Sequence, residues 1–223
     1  MTIHRFSPEI RGLLFDMDMT LYTNQEYLQA QIDLIMQRLA DKQGMSLEEM
    51  RKVFAAQRKA RQEAQGGRQI SLGNTFESFG VSMEETIRWR EELYEPERFL
   101  SDDPRLRNAL ETLSARYSLA LVTNNPTLTA NRTLKALGVQ EFFPVIVGLD
   151  TCGVSKPHEA PLRMAAELLG LGIKECASIG DRYDIDVALP LELGMGGILV
   201  DGVQDVYDLP GALEAHNANP GVS

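Results

Sequence analysis

Two segments near opposite ends of the chain place several carboxylates directly after an apolar run. The carboxylates are Asp16 and Asp18 in the first segment and Asp181, Asp184 and Asp186 in the second. In an open α/β sheet the carboxyl ends of the strands face the ligand crevice, so we expect these groups to converge there. Neighbouring carboxylates repel one another and lose hydration, and a divalent cation is the natural compensation. Oxygen ligands favour Mg²⁺, and the three histidines lack the spacing of a zinc site.

Two further runs end in residues that suit an anion. Thr123 and Asn124 close one apolar run and precede a helical pattern, where a hydroxyl and free backbone N–H groups can bind phosphate. Lys156 precedes Pro157, which we expect to be the first residue of a helix. Taken singly, a strand-end threonine and a solvated lysine are the commoner interpretations. Together with the carboxylates, these residues indicate a phosphate-binding site.

The elements that must position these groups alternate along the chain. Apolar runs predict strands at 11–15, 117–123, 144–148, 176–180 and 197–200. Helical patterns follow them at 103–116, 127–137 and 157–169. Alternating strands and helices are typical of an α/β fold with a parallel sheet and crossover helices.

About ninety residues without a strand-like run separate the first two strands. Helical patterns fill this gap at 26–42 and after capping-box signatures at Ser46 and Ser82. Because a parallel crossover needs only one helix, we expect an inserted helical subdomain. The prediction is an α/β core at residues 1–21 and 99–223, and a helical cap at 22–98, called the cap segment below.

Four motifs occur in a diagnostic order. They are Asp16-Met17-Asp18, Thr123-Asn124-Asn125, Ser155-Lys156-Pro157 and Gly180-Asp181-Arg182-Tyr183-Asp184-Ile185-Asp186. This order resembles the haloacid dehalogenase (HAD) superfamily, whose motifs lie at strand ends of a Rossmann-like parallel core. The insertion after the first motif is similar to the family's C1 helical cap, and the resemblance covers nearly the whole chain. Met19 departs from the pattern, since many members carry a small residue there, and we expect it to face away from the chemistry.

The resemblance implies phosphomonoester hydrolysis through an aspartyl-phosphate. Asp16 would be the nucleophile. Asp18 would be the general acid and base, with a raised pKa. Thr123, the backbone N–H of Asn124, and Lys156 would bind the transferring oxygens.

The resemblance also implies a set of Mg²⁺ ligands. These are Asp16, Asp18 through its backbone carbonyl, Asp181 and Asp186. Asp181 would bind the metal directly, whereas Asp186 would act through water or through Lys156. Asp184 either supports this set or is exposed.

The presence of Asp18 favours a phosphatase over a dehalogenase, which has no leaving oxygen to protonate. The leading hypothesis is a Mg²⁺-dependent phosphatase acting on a small phosphorylated metabolite, with nucleoside monophosphates among the candidates. The Leu21-Tyr22 start and the Phe76-Glu77-Ser78-Phe79-Gly80 stretch of the cap segment look similar to the pyrimidine 5′-nucleotidase-like branch. A phosphoglycolate-type phosphatase, a phosphomutase and a non-catalytic, metal-dependent phosphate-binding module remain as alternatives.

Substrate choice is expected to depend on the cap segment. Its cations Arg58, Lys59, Arg61 and Arg68 could bind substrate, although a solvated helix face is the commoner interpretation. Its Asn74, Phe76, Phe79 and Trp89 could contact a base, although core packing is the commoner role of such aromatic residues.

Composition excludes several classes. Of the 223 residues 43% are hydrophobic and 24% charged, which is typical of globular proteins rather than disordered ones. No apolar stretch is long enough to cross a membrane. The net charge of −10 disfavours nucleic acid polymers and anionic lipid. Two cysteines and no signal-peptide core predict a reduced, cytoplasmic protein. A monomer and a homodimer both remain open, since no feature of the sequence decides between them.

Overall fold

A six-stranded sheet forms the centre of the computed structural model, which describes residues 1–64 and 75–218. The strands are β1 (Thr2–Arg5), β2 (Gly12–Phe15), β3 (Ser118–Val122), β4 (Val145–Val147), β5 (Cys176–Gly180) and β6 (Gly196–Leu199). Their order is β1-β6-β5-β2-β3-β4, and every pair is parallel except β1 with β6. The predicted α/β, Rossmann-like core is confirmed, and each predicted strand end lies within one residue of the observed one.

The helices of the described residues comprise those that cover the two faces of this sheet and those of the cap segment. They are α1 (Gln25–Gln43), α2 (Leu47–Ala64), α3 (Met83–Leu93), α4 (Pro104–Ser114), α5 (Thr127–Ala136), α6 (Leu149–Cys152), α7 (Glu159–Leu168), α8 (Ala188–Glu192) and α9 (Val203–Ala218). Side chains of α4, α5 and α9 join the hydrophobic cluster on one face, and side chains of α7 join the cluster on the other.

The central strands are apolar along their whole length because both faces are buried. In β2, Leu13 and Phe15 enter one cluster, and Leu14 between them enters the other. In β3, Leu119 enters the first cluster and Ala120 enters the second. This burial explains why the strands appear in the sequence as continuous apolar runs rather than alternating ones.

The expected start of the helix after Lys156 is wrong. Helix α7 begins at Glu159, and His158 is its N-cap, whose Nδ1 accepts a hydrogen bond from the backbone N–H of Ala160 at 3.1 Å. Pro157 precedes the N-cap and belongs to the loop, and its peptide bond with Lys156 is cis. Lys156 therefore sits in a loop ahead of the helix rather than directly at its first turn.

Strand β1 is absent from the sequence-based prediction. It pairs antiparallel with β6 at the edge of the sheet. Only one of its residues, Ile3, is an aliphatic hydrophobe, and the strand is mostly exposed. Its sequence therefore lacks the apolar run that marked the other strands.

Helices α1, α2 and α3 lie between β2 and β3 and share a hydrophobic cluster of their own, built around Ile35, Met50, Phe54 and Trp89. The capping box at Ser46 forms in full, with Ser46 N–H to Glu49 at 2.9 Å and Glu49 N–H to Ser46 Oγ at 3.3 Å. Within residues 1–64 and 75–218, no helix combines the length and apolar character that a bilayer crossing requires.

Candidate active site

Three neighbouring strands bring the first, second and fourth motifs together. Strand β2 lies between β3 and β5, so Asp16, Thr123 and Asp181 emerge side by side at the carboxyl edge of the sheet. The sheet hydrogen bonding continues one residue beyond the strands: the N–H of Asp16 donates to Ile179 O at 2.8 Å, and that of Thr123 to Val147 O at 3.0 Å. The backbone of Asp16 and Thr123 is therefore fixed by the same kind of hydrogen bond that joins the strands.

Lys156 bridges two of the carboxylates. Its Nζ donates to Asp16 Oδ1 and to Asp186 Oδ1, each at 2.7 Å, and all three side chains are at most 3% exposed. Burial alone would lower the pKa of the Lys156 ammonium, but the charges of Asp16 and Asp186 outweigh it and raise that pKa. The side chain of Asn124 holds the Lys156 backbone, accepting from its N–H at 2.7 Å and donating to its carbonyl at 3.0 Å. Lys156 is thus a fixed, charged group between Asp16 and Asp186.

Asp16, Asp181 and Asp186 form a cluster that suits a divalent cation. One carboxylate oxygen of each lies within 4.8 Å of the others. Asp16 Oδ2 and Asp181 Oδ1 are buried, and neither accepts a hydrogen bond from the part of the chain that is described. Burial and the charge of Asp16 raise the pKa of Asp181 to about 7. Buried oxygens without hydrogen-bond donors fit the all-oxygen ligand set of Mg²⁺.

The side chain of Asp18 lies outside that cluster. Tyr22 Oη donates to its Oδ1, and Asn125 Nδ2 donates to its Oδ2 at 2.6 Å. Burial, with a smaller contribution from Asp16, raises the pKa of Asp18, although the hydrogen bond from Tyr22 favours the charged form. A carboxyl group with a raised pKa is suited to both donating and accepting a proton.

Asp186 reaches the site from a five-residue π-helical turn at Tyr183–Val187. Its carboxylate packs against the end of β5, where a Cβ at residue 180 would collide with it. Gly180 is therefore required for Asp186 to approach the strand. The neighbouring Asp184 is exposed, which settles the two alternatives for that residue.

A cavity of about 670 Å³ opens beside Asp18 and Asp181. Arg58 and Lys59 of α2 in the cap segment line this cavity, and so does Arg182 of the core. Burial and the charge of Arg182 lower the pKa of Arg58, so the two guanidinium groups influence one another. Part of the cationic run therefore lines this cavity, although a solvated helix face was the favoured interpretation from the sequence.

The aromatic side chains of the cap segment, for which base contact was the less favoured interpretation, pack in its core. Phe76 and Trp89 are buried in the hydrophobic cluster of the cap segment, and Phe79 stacks on Phe54 with ring centroids 5.6 Å apart. These aromatic side chains pack with one another, which is the alternative that the sequence favoured. Arg68 and Asn74 lie outside the described residues.

Four residues at this site were not assigned a role from the sequence: Tyr22, Arg90, Asn125 and Arg182. Tyr22, Asn125 and Arg182 lie inside or beside the motifs. Their position next to the aspartates and Thr123 is the sequence signal that points to them. Arg90 has no such signal, because it is 34 residues from the loop that it contacts.

Comparisons with known proteins find a matching family model and relatives of similar sequence. The family model described as a hydrolase, haloacid dehalogenase-like, matches residues 10–193. A phosphoglycolate phosphatase of Pectobacterium atrosepticum is 28% identical over 240 residues, covering 95% of this chain and 97% of that protein. The phosphoglycolate phosphatase of Escherichia coli K12 is 30% identical over 203 residues, covering 81% and 77%.

Solved structures share the fold. The crystal structure of a HAD phosphatase from Thermococcus onnurineus superposes with a TM-score of 0.60 at 21% identity, covering 92% of this chain and 98% of that one. At this identity the likeness concerns the fold alone.

Proposed function

The chain belongs to the haloacid dehalogenase-like hydrolase family and is a phosphoric monoester hydrolase, and on this premise we propose a Mg²⁺-dependent phosphatase that works through an aspartyl-phosphate. The observation that carries the proposal is the environment of the two carboxylate oxygens of Asp16. Lys156 donates to one of its oxygens, and the other is buried with no hydrogen-bond donor among the residues that the structure describes. The charge of Asp16 also acts on the neighbouring Asp18. This arrangement supports nucleophilic attack by a carboxylate next to an acid that can serve the leaving group.

In the first step an oxygen of Asp16 bonds to phosphorus while the bond to the leaving oxygen breaks. Asp18 gives its proton to that oxygen, so the product leaves as an alcohol. In the second step water attacks the phosphorus of the aspartyl-phosphate, Asp18 takes the proton of the water, and inorganic phosphate and Asp16 are released. The raised pKa of Asp18 supports both roles.

Asp16, Asp181 and Asp186, with the backbone carbonyl of Asp18, would hold Mg²⁺. When bound, the ion supplies positive charge that orients the phosphoryl group and offsets the charge developing on it. Lys156 contributes a fixed positive charge at Asp16 Oδ1 and Asp186 Oδ1.

The transferring oxygens would meet donors from the loop after β3. Thr123 Oγ1 accepts from the N–H of Asn125 at 3.1 Å, which leaves its hydroxyl proton to donate. The side chain of Asn124 is engaged with the Lys156 backbone, so its backbone N–H is the group offered to phosphate. Such preorganised donors stabilise charge in the transition state.

Phosphoglycolate is the first substrate to test. Two of the relatives above carry the name phosphoglycolate phosphatase, and Arg58 and Arg182 line the cavity where a second anionic group of the substrate would lie. Nucleoside monophosphates are the second candidate, because a cavity of about 670 Å³ exceeds the size of a two-carbon leaving group.

Helices α1, α2 and α3 would act as the cap that excludes water. The cytoplasmic location and a monomeric or homodimeric state stay predictions.

The test is a panel of phosphomonoesters that includes phosphoglycolate, nucleoside monophosphates and p-nitrophenyl phosphate, assayed with Mg²⁺ by phosphate release. Asp16→Asn should lower turnover by about 10⁴-fold or more, since it removes the nucleophile. Equal turnover by wild type and Asp16→Asn would refute the mechanism. An isomeric sugar phosphate formed without phosphate release would identify a mutase, and Mg²⁺-dependent binding without turnover would identify a binding module.

A further inference from the structure

Arg90 connects the cap segment to the catalytic loop. It lies on α3 and is only 5% exposed. Its Nη1 donates to the backbone carbonyl of Asn124 and to Asn125 Oδ1, the latter at 3.2 Å. A guanidinium buried at this junction therefore binds the residues that directly follow Thr123.

The side chain of Asn125 links Arg90 to Asp18. Its carbonyl oxygen accepts from Arg90, and its amide nitrogen donates to Asp18 Oδ2 at 2.6 Å. A flipped amide would turn its NH₂ group toward the guanidinium and its oxygen toward the carboxylate. Both contacts would then be repulsive, so the two charged neighbours together fix one orientation of the amide.

Asp18 is held from two sides. Tyr22 donates to Oδ1, and Asn125 donates to Oδ2. Tyr22 follows Asp18 closely in the chain, but the Asn125 side of this arrangement depends on Arg90, which comes from the cap segment. The orientation of the Asp18 carboxylate therefore depends in part on how α3 is docked on the core.

We propose that Arg90 is a positioning residue, which orients Asn125 and through it Asp18, so that the general acid is in place only when the cap segment is docked. The inference rests on the role given to Asp18 in the proposed function. Arg90 itself does not touch Asp18. Replacing Arg90 should therefore have no further effect on Asp18 once Asn125 has been replaced.

A purely structural role for Arg90 would give a different dependence of kcat on the substrate. If the residue only fastened the cap segment, its loss would impair all substrates alike. If it positions the general acid, its loss should matter most for alkyl phosphates, whose leaving oxygen needs a proton. It should matter little for p-nitrophenyl phosphate, whose leaving group departs as an anion.

The experiment compares Arg90→Met, Asn125→Ala and the double variant, each with the best alkyl phosphate found in the panel and with p-nitrophenyl phosphate. Each single variant should lower kcat for the alkyl phosphate by about 10- to 100-fold, the range expected for a misplaced catalytic group. The loss with p-nitrophenyl phosphate should be within about 3-fold. The double variant should be no slower than the slower single variant, because both substitutions break the same chain of contacts.

Arg132→Met is the matched control. It removes another arginine that joins the core to the cap segment, through Glu97, away from the site. Its kcat should stay close to that of wild type with both substrates. If Arg90→Met does not fold, Arg90→Lys takes its place, since it keeps the positive charge but lacks the planar guanidinium fork.

Three outcomes would overturn the inference: losses that multiply in the double variant, equal losses with both substrates, or the same loss in Arg132→Met. Failure of the proposed function is recognised separately, because wild type would then release no phosphate or would match Asp16→Asn.

Discussion

Replacing Lys156 by methionine tests the charge balance at the centre of the site. Methionine roughly preserves the length of the side chain but removes the ammonium group, which donates to Asp16 and Asp186 at 2.7 Å each. Both carboxylates would remain buried without their cation. Breaking a buried ion pair by removing one partner costs about 3–5 kcal/mol of unfolding free energy, because the other charge is left uncompensated.

That loss corresponds to a fall in Tm of about 6–20 °C, at about 2–4 °C per kcal/mol for a chain of this size. The loss of unfolding free energy should be nearly constant around neutral pH. The pKa of Lys156 is raised in the folded state, so the stability contributed by its charge is fully present below the unfolded-state pKa. That contribution is lost only in strongly alkaline solution, as the pH rises through the folded-state pKa.

The assay is thermal and urea unfolding with EDTA present, so that every variant is compared without metal. Lys52→Met is the control, since Lys52 and its partner Glu48 are 73% and 80% exposed, and its Tm should change by no more than about 2 °C. Adding Asp186→Asn to Lys156→Met should recover part of the loss, because one stranded carboxylate is then neutral. A Lys156→Met Tm and urea midpoint equal to those of wild type would refute this account of the buried charges.

Three further predictions concern protonation, metal and specificity. Asp18→Asn should lower kcat for alkyl phosphates by about 10²–10⁴-fold and much less for p-nitrophenyl phosphate, and steady-state assays with both substrates would check this. Since the pKa of Asp181 is raised to about 7 without metal, Mg²⁺ must displace a proton at lower pH, so the rise in Tm on adding Mg²⁺ should be larger at about pH 8 than at about pH 6. A rise that is equal or larger at the lower pH would contradict it. Arg182→Met should raise the KM for phosphoglycolate more than that for p-nitrophenyl phosphate; an equal effect would argue against a second anion near this residue.

The order of strands and helices could be predicted because the core is buried on both faces. Leu13, Leu14 and Phe15 are all buried, so the strand is apolar throughout and easily recognised. Strand β1 could not be recognised, since an exposed edge strand needs no apolar run. The prediction places the start of α7 too early because Pro157 is compatible with a first helical turn. Histidine is not among the residues that usually mark an N-cap, so the cap that His158 forms with the Ala160 N–H gives no signal in the sequence.

The site could be predicted in part for a similar reason. Asp16, Thr123 and Asp181 follow strands, so the sheet alone brings them together. The hydrogen bonds of Asp18 could not be predicted in the same way. One partner, Asn125, is oriented by Arg90, and that contact exists only because α3 docks against the loop after β3.

The close approach of Asp186 to Gly180 has an evolutionary consequence. Any side chain at position 180 would occupy space that the Asp186 carboxylate already fills. A lineage that keeps this carboxylate cannot exchange the glycine, whereas one that first shortens residue 186 gains the freedom to do so. The two positions should therefore vary together among homologues, and the order in which such changes can accumulate is constrained.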